Sequence, residues 1–168
     1  MRPKEIYESL KGIDPQSIAF DPHNQNHAYC GTFSDGLWKT DDGGQTWSNI
    51  GKDVISNPHI TSVAVSSLNS DSSFNKVYIG TEPSALYASN DGGDSWEKIE
   101  ALNNLPSSKS WSFPPRPWTH HVRWIAHHPS NSDLVFAGTE PANIFISHNN
   151  GTSWRASPEV GQLRDRFK

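Results

Sequence analysis

The chain alternates short runs of apolar and β-branched residues with clusters of Gly, Asn, Asp and Ser. Three of these runs end in Gly-Thr, and they read HAYCGT (27–32), KVYIGT (76–81) and LVFAGT (134–139). Short runs rich in β-branched and aromatic side chains, bounded by turn residues, are typical of β-strands. The pattern therefore predicts an all-β protein built from short strands.

The runs belong to a longer unit that occurs three times. Each unit ends in a similar turn sequence, and the three turns read TDDGGQTW (40–47), SNDGGDSW (89–96) and SHNNGTSW (147–154). Four predicted strands fall in each unit, one before the Gly-Thr run and one after the turn. The repeat predicts three four-stranded antiparallel units at about residues 14–51, 59–101 and 121–158, with an insertion at 102–120.

The repeated turn has a structural explanation. A tight hairpin needs glycine at positive φ and an Asx side chain that accepts hydrogen bonds from turn amides. The large ring that follows is expected to pack into the core and hold the turn against the sheet. These roles are assigned to Asp42, Asp91 and Asn149, to Gly44, Gly93 and Gly151, and to Trp47, Trp96 and Trp154.

The pattern Ser/Thr-x-Asp-x-Gly-x-Thr/Ser-Trp resembles the Asp-box, or BNR repeat, of β-propellers. That repeat recurs in sialidase-like, sortilin-like and xyloglucan-cleaving propellers and in a photosystem assembly factor. The resemblance covers almost the whole chain and implies that each unit is one propeller blade. The third copy departs from the pattern, because Asn149 replaces the aspartate.

Three blades are fewer than a closed propeller has, since propellers usually contain about four to eight. An open stack would leave strand edges and apolar faces exposed. We therefore expect either the N-terminal part of a longer propeller or a homodimer that completes a six-bladed ring. The homodimer is the favoured prediction.

The resemblance also implies a functional rim. In such propellers the loops between blades and the loops between second and third strands share one face, and the Asp-boxes lie on the other. The carboxylates on this rim, Glu82 and Glu140, are the candidate catalytic residues. The candidate ligand-binding residues are His59, Trp111, Arg116, Trp118, His120, His121 and Arg123.

Three functions fit these residues. The first is a binding or scaffold module for a glycan or protein ligand. The second is a glycoside hydrolase-like enzyme, in which Glu82 and Glu140 act as acid and base. The third is a metal-dependent enzyme with a site at His59, His120 and His121. No cofactor is required by the favoured reading, and the sialidase arginine triad is not recognisable.

Composition narrows the partners. The formal charge of −4 is spread along the chain, which argues against nucleic-acid binding. No run of apolar residues is long enough to span a membrane. Cys30 is the only cysteine, so it cannot form an intrachain disulfide, and the chain is expected to be cytoplasmic. The adjacent His127 and His128 are interpreted as solvated turn residues.

Overall fold

The structure, a computed structural model, describes residues 8–66, 75–106, 108, 120–140 and 143–157. Within these residues the chain forms three separate four-stranded antiparallel sheets, which confirms the predicted all-β architecture. Each sheet pairs its strands in chain order. We call the sheets blades 1, 2 and 3. No helix in the described part of the chain is long and apolar enough to cross a membrane.

The strands follow the repeat. Blade 1 contains β1 (Pro15–Phe20), β2 (Ala28–Thr32), β3 (Leu37–Thr40) and β4 (Ser48–Ile50). Blade 2 contains β5 (Ile60–Val65), β6 (Val77–Thr81), β7 (Leu86–Ser89) and β8 (Glu97–Ile99). Blade 3 contains β9 (His121–His128), β10 (Asn131–Glu140), β11 (Asn143–Ser147) and β12 (Arg155–Ala156). The fourth strand of each blade begins just after the Asp-box tryptophan.

The blades stack through two apolar cores. One core joins blades 1 and 2 and contains Tyr29, Leu37, Ile79, Tyr87 and Trp96. The other joins blades 2 and 3 and contains Tyr78, Leu86, Val122, Phe145 and Trp154. The first strands also pack together, β1 against β5 and β5 against β9. Burial between the blades therefore holds them together, as in other repeat proteins.

The glycine of each Gly-Thr pair allows the next blade to approach. A Cβ atom on Gly31 would lie 2.6 Å from Ile60 Cγ2, and one on Gly80 would lie 2.5 Å from Val122 Cβ. Real side chains do not approach so closely. The repeated glycines thus permit the packing of neighbouring first strands.

The Asp-box turns satisfy their own hydrogen bonds. In blade 1 the Asp42 carboxylate accepts from the amides of Gln45 and Thr46 at 2.9 Å and from the Thr46 hydroxyl at 2.7 Å. The Thr46 hydroxyl and amide, together with the Thr40 hydroxyl, lower the pKa of Asp42 to about 2. In blade 3 Asn149 Oδ1 accepts from the Ser153 amide at 2.8 Å. The amide side chain therefore replaces the carboxylate in the same turn.

The three Asp-box tryptophans are not equally buried. Trp96 and Trp154 are buried, and their indole N–H groups donate to the carbonyls of Gly93 and Gly151 at 3.0 Å. Trp47 is only half-buried and donates to Ser9 Oγ at 3.2 Å, so the prediction of equal burial is wrong. Trp96 and Trp154 pack against the preceding blade. Blade 1 has no preceding blade among the described residues, which explains the difference.

Two blade faces are exposed in the described structure. On blade 1, Ile18 and Phe20 are 41 % and 49 % exposed, although the equivalent blade 2 residues Val63 and Val65 belong to the core with blade 1. On blade 3, the opposite face exposes Trp124 by 39 %. Closure of these faces by a second copy of the chain stays a prediction.

Candidate functional site

A β-bulge in the first strand of each blade shapes the candidate site. The pairing register shifts between Pro15 and Ser17 in blade 1 and between Ile60 and Ser62 in blade 2. In blade 3 it shifts between the partners of Thr139 and Gly138. The extra residue of a bulge escapes strict alternation, and its side chain can be re-aimed. These residues are Gln16, Thr61 and Arg123.

Each blade contributes the same three positions to one cavity: the residue before or at the start of the first strand, the bulge residue, and the residue at the end of the second strand. The cavity has a volume of about 760 Å³. Its lining comprises Asp14, Gln16 and Phe33 from blade 1, His59, Thr61 and Glu82 from blade 2, and His121, Arg123 and Glu140 from blade 3, with Ser17. The repeat thus supplies a constant frame with different side chains in each blade.

Backbone pairing fixes these positions. The Phe33 amide donates to the Asp14 carbonyl at 2.9 Å, and the Glu82 amide donates to the His59 carbonyl at 3.1 Å. In blade 3, His121 and Glu140 are paired in the sheet. The second and third strands are antiparallel, so the Asp-box turns, which follow the third strands, lie at the opposite end of each blade. The cavity is therefore separated from the Asp-boxes.

Contacts between blades join the lining residues into a row. The Phe33 and His59 rings lie 4.4 Å apart between centroids. His59 Nδ1 lies 3.3 Å from Glu82 Oε2, and His121 Nδ1 lies 3.9 Å from the same oxygen. His121 Nε2 lies 2.9 Å from Glu140 Oε2. Imidazole and carboxylate groups therefore alternate across the boundary between blades 2 and 3.

Burial along this row is graded. The Glu82 side chain is 8 % exposed and that of His121 is 11 % exposed, whereas that of Glu140 is 34 % exposed. Buried charged groups are stable only when paired or hydrogen-bonded. The inner part of the row is thus held by mutual contacts, and Glu140 and the exposed Arg123 face the open part of the cavity.

His120 lies beside this row and does not line the cavity. Burial and the neighbouring His121 lower the pKa of His120, although the Glu82 charge opposes them. No group of three or more His, Cys, Asp and Glu residues in the described chain has an arrangement that could hold a metal ion. His59, His120 and His121 therefore do not form a metal site by themselves in the described structure.

The structure also places residues that the sequence pattern treated differently. Trp111, Arg116 and Trp118 lie outside the described residues, so their predicted contribution to the rim stays a prediction. Gln16, Thr61 and Phe33 line the cavity but were not among the candidates. Their signal was the fixed distance from the Gly-Thr pair in each copy. Away from the cavity, burial raises the pKa of Cys30 to about 11, which keeps the thiol protonated.

Three stacked antiparallel blades, with Asp-box turns at one end and a loop-lined cavity at the other, define an Asp-box β-propeller domain. The family model of the photosynthesis system II assembly factor YCF48 matches residues 10–156. The chain therefore belongs to this family, which confirms the resemblance drawn from the repeats. No curated protein sequence matches the chain significantly.

Solved structures share the fold. YCF48 from Cyanidioschyzon merolae superposes with a TM-score of 0.61 at 19 % identity, over 86 % of this chain and 39 % of that one. YCF48 bound to D1 peptide gives 0.61 at 22 %, over 86 % and 40 %. An ancestral GH74 enzyme gives 0.65 at 23 %, over 86 % and 18 %. The chain thus spans about two fifths of the YCF48 structures that it matches.

Proposed function

We propose that the chain is a non-catalytic binding module that holds a polypeptide segment in the rim cavity. The observation that carries the proposal is the cavity of about 760 Å³, to which all three blades contribute equivalent positions. This volume lies in the range of specific binding sites, about 300–1,000 Å³. Membership of the YCF48 family supports a polypeptide ligand, because a YCF48 structure contains a bound D1 peptide.

The lining suits an extended peptide. A peptide backbone presents N–H donors and C=O acceptors in alternation. The cavity offers acceptors at Glu140 and Asp14, a donor at Arg123, and groups of both kinds at Gln16 and Thr61. The half-exposed ring of Phe33 offers an apolar contact for a ligand side chain. A scaffold role and a cytoplasmic location are part of the same proposal.

A glycan-cleaving role is the alternative, and the His121 contacts argue against it. An acid–base pair must flank the scissile bond, with the two carboxyl groups free to reach it. Here one imidazole lies within 4 Å of both carboxylates, because His121 Nδ1 is 3.9 Å from Glu82 and its Nε2 is 2.9 Å from Glu140. Both carboxylates are thus engaged by the same side chain, and binding fits this arrangement better than hydrolysis.

Calorimetric titration with a synthetic D1 peptide tests the proposal. The parent chain is compared with Glu82→Gln and Arg123→Gln, which change the cavity, and with Val54→Ser, which removes an exposed apolar side chain outside it. We expect saturable binding to the parent and the Val54 variant. Each cavity variant should weaken binding at least about tenfold, the loss expected for one charge-assisted hydrogen bond. Circular dichroism confirms that the variants are folded.

Two results would contradict the proposal. The first is no binding of the peptide by the folded parent, and the second is binding that neither cavity substitution changes. Turnover of xyloglucan oligosaccharides by the parent, abolished by Glu82→Gln or Glu140→Gln, would establish the enzymatic alternative instead.

A further inference from the structure

The first two blades each hold the next blade by a serine in the first strand. Ser17 Oγ accepts from the Val63 amide at 3.1 Å, which links blade 1 to blade 2. Ser62 Oγ donates to the Val122 carbonyl at 3.0 Å, which links blade 2 to blade 3. The two serines are equivalent, because Ser17 pairs with Gly31 and Ser62 pairs with Gly80.

A tyrosine in the second strand forms a further link. The Tyr29 hydroxyl donates to the Gly92 carbonyl at 2.8 Å, in the Asp-box turn of blade 2. The Tyr78 hydroxyl donates to Asn150 in the Asp-box turn of blade 3, at 2.9 Å to the carbonyl and 2.7 Å to Oδ1. Each tyrosine thus binds the turn of the following blade from a buried position.

Blade 3 lacks both groups. At the serine position it has Trp124, which pairs with Gly138, and at the tyrosine position it has Phe136, which has no hydroxyl. The indole ring of Trp124 also occupies the space beside Gly138. At Gly31 and Gly80 the equivalent space receives Ile60 and Val122 of the next blade.

We propose that Trp124 and Phe136 form a cap that prevents blade 3 from receiving a further Asp-box blade in the way that blades 1 and 2 do. Trp124 fills the glycine notch from its own blade, and neither residue offers the hydrogen bond that its counterpart makes. The excluded partner is the first strand of another Asp-box blade, and a second copy of this chain supplies one. The homodimer predicted from the sequence therefore requires the cap to open.

Restoring the ancestral-type residues of blades 1 and 2 tests the cap. The double variant Trp124→Ser/Phe136→Tyr places the serine and tyrosine of blade 2 on blade 3. Sedimentation velocity then measures the self-association of the parent and the variant. We expect a mainly monomeric parent at micromolar concentration and a variant that associates at least about tenfold more tightly. Adding Phe20→Ser should reverse the gain, because Phe20 lies on the blade 1 face that would dock.

Controls separate the cap from other effects. Val54→Ser removes an exposed side chain of neither blade face, and added to the double variant it should leave the gain unchanged. Trp124→Phe keeps a ring beside Gly138 and should remain monomeric, which gives a second readout if the double variant is unstable. A parent that already forms a tight dimer, or a folded double variant with no gain in association, would overturn the proposal.

Discussion

His127 should make the stability of the protein depend on pH. Its ring packs against Tyr78 of blade 2, with centroids 5.1 Å apart. Burial and the nearby Lys76 ammonium lower the pKa of His127 from its usual 6.5 to about 4. The perturbation that tests this is His127→Val, because Val65 occupies the equivalent position in blade 2.

The sign follows from proton uptake. Between pH 6.5 and 4 the unfolded chain binds a proton at His127, whereas the folded chain does not. The stabilising contribution is therefore complete above the unfolded pKa and is lost as the pH falls toward the folded value. A shift of about 2.5 pKa units corresponds to about 3 kcal/mol of unfolding free energy. The slope between these values approaches about 1.4 kcal/mol per pH unit.

Urea unfolding at pH 7.5 and at pH 4.5 measures the effect. We expect the parent to lose about 2 to 3 kcal/mol more between these conditions than His127→Val does. His128→Gln is the matched control, since this neighbour is on the opposite side of β9, and it should keep the pH dependence of the parent. Equal losses in the parent and the His127 variant would refute the reasoning.

Three further substitutions probe the framework. Trp96→Ala should destabilise the protein by about 3–5 kcal/mol, and Trp47→Ala by less than half of that in urea unfolding, because Trp47 is only half-buried; equal losses would contradict the packing argument. Gly80→Ala should lower the melting temperature by several degrees, since the new Cβ meets Val122, and an unchanged temperature would contradict it. Carbon NMR of the Asp42 carboxyl should show a titration midpoint near 2, whereas a midpoint near 3.8 would mean that the Thr46 hydrogen bonds are absent.

The repeat made the strands predictable. Gly-Thr pairs and Asp-box turns recur at matching places, so three copies position the four strands of each blade without reference to distant contacts. The same register brings Glu82 and Glu140 to equivalent strand ends. Local sequence was sufficient here because each feature depends on a turn or on strand alternation.

Other features depend on what lies across a blade boundary. His127 was interpreted as a solvated turn residue, and this was wrong: it lies within β9, and its ring contacts Tyr78. The bulges that re-aim Gln16 and Thr61 are equally invisible in the alternation of polar and apolar residues. Strand periodicity assigns a side chain to a face, but not the residue that covers that face.

The cap and the cavity meet at Glu140. In blades 1 and 2 the residue that ends the second strand contacts the start of the next blade, as Phe33 contacts His59 and Glu82 approaches His121. Glu140 instead pairs with His121 of its own blade. If a second copy docked on blade 3, the counterpart of His59 and His121 would be Asp14, which would bring one carboxylate toward another. Such a pair is unfavourable unless one group is protonated. The residues that keep a blade away therefore also keep Glu140 in the cavity, where it is available to a ligand.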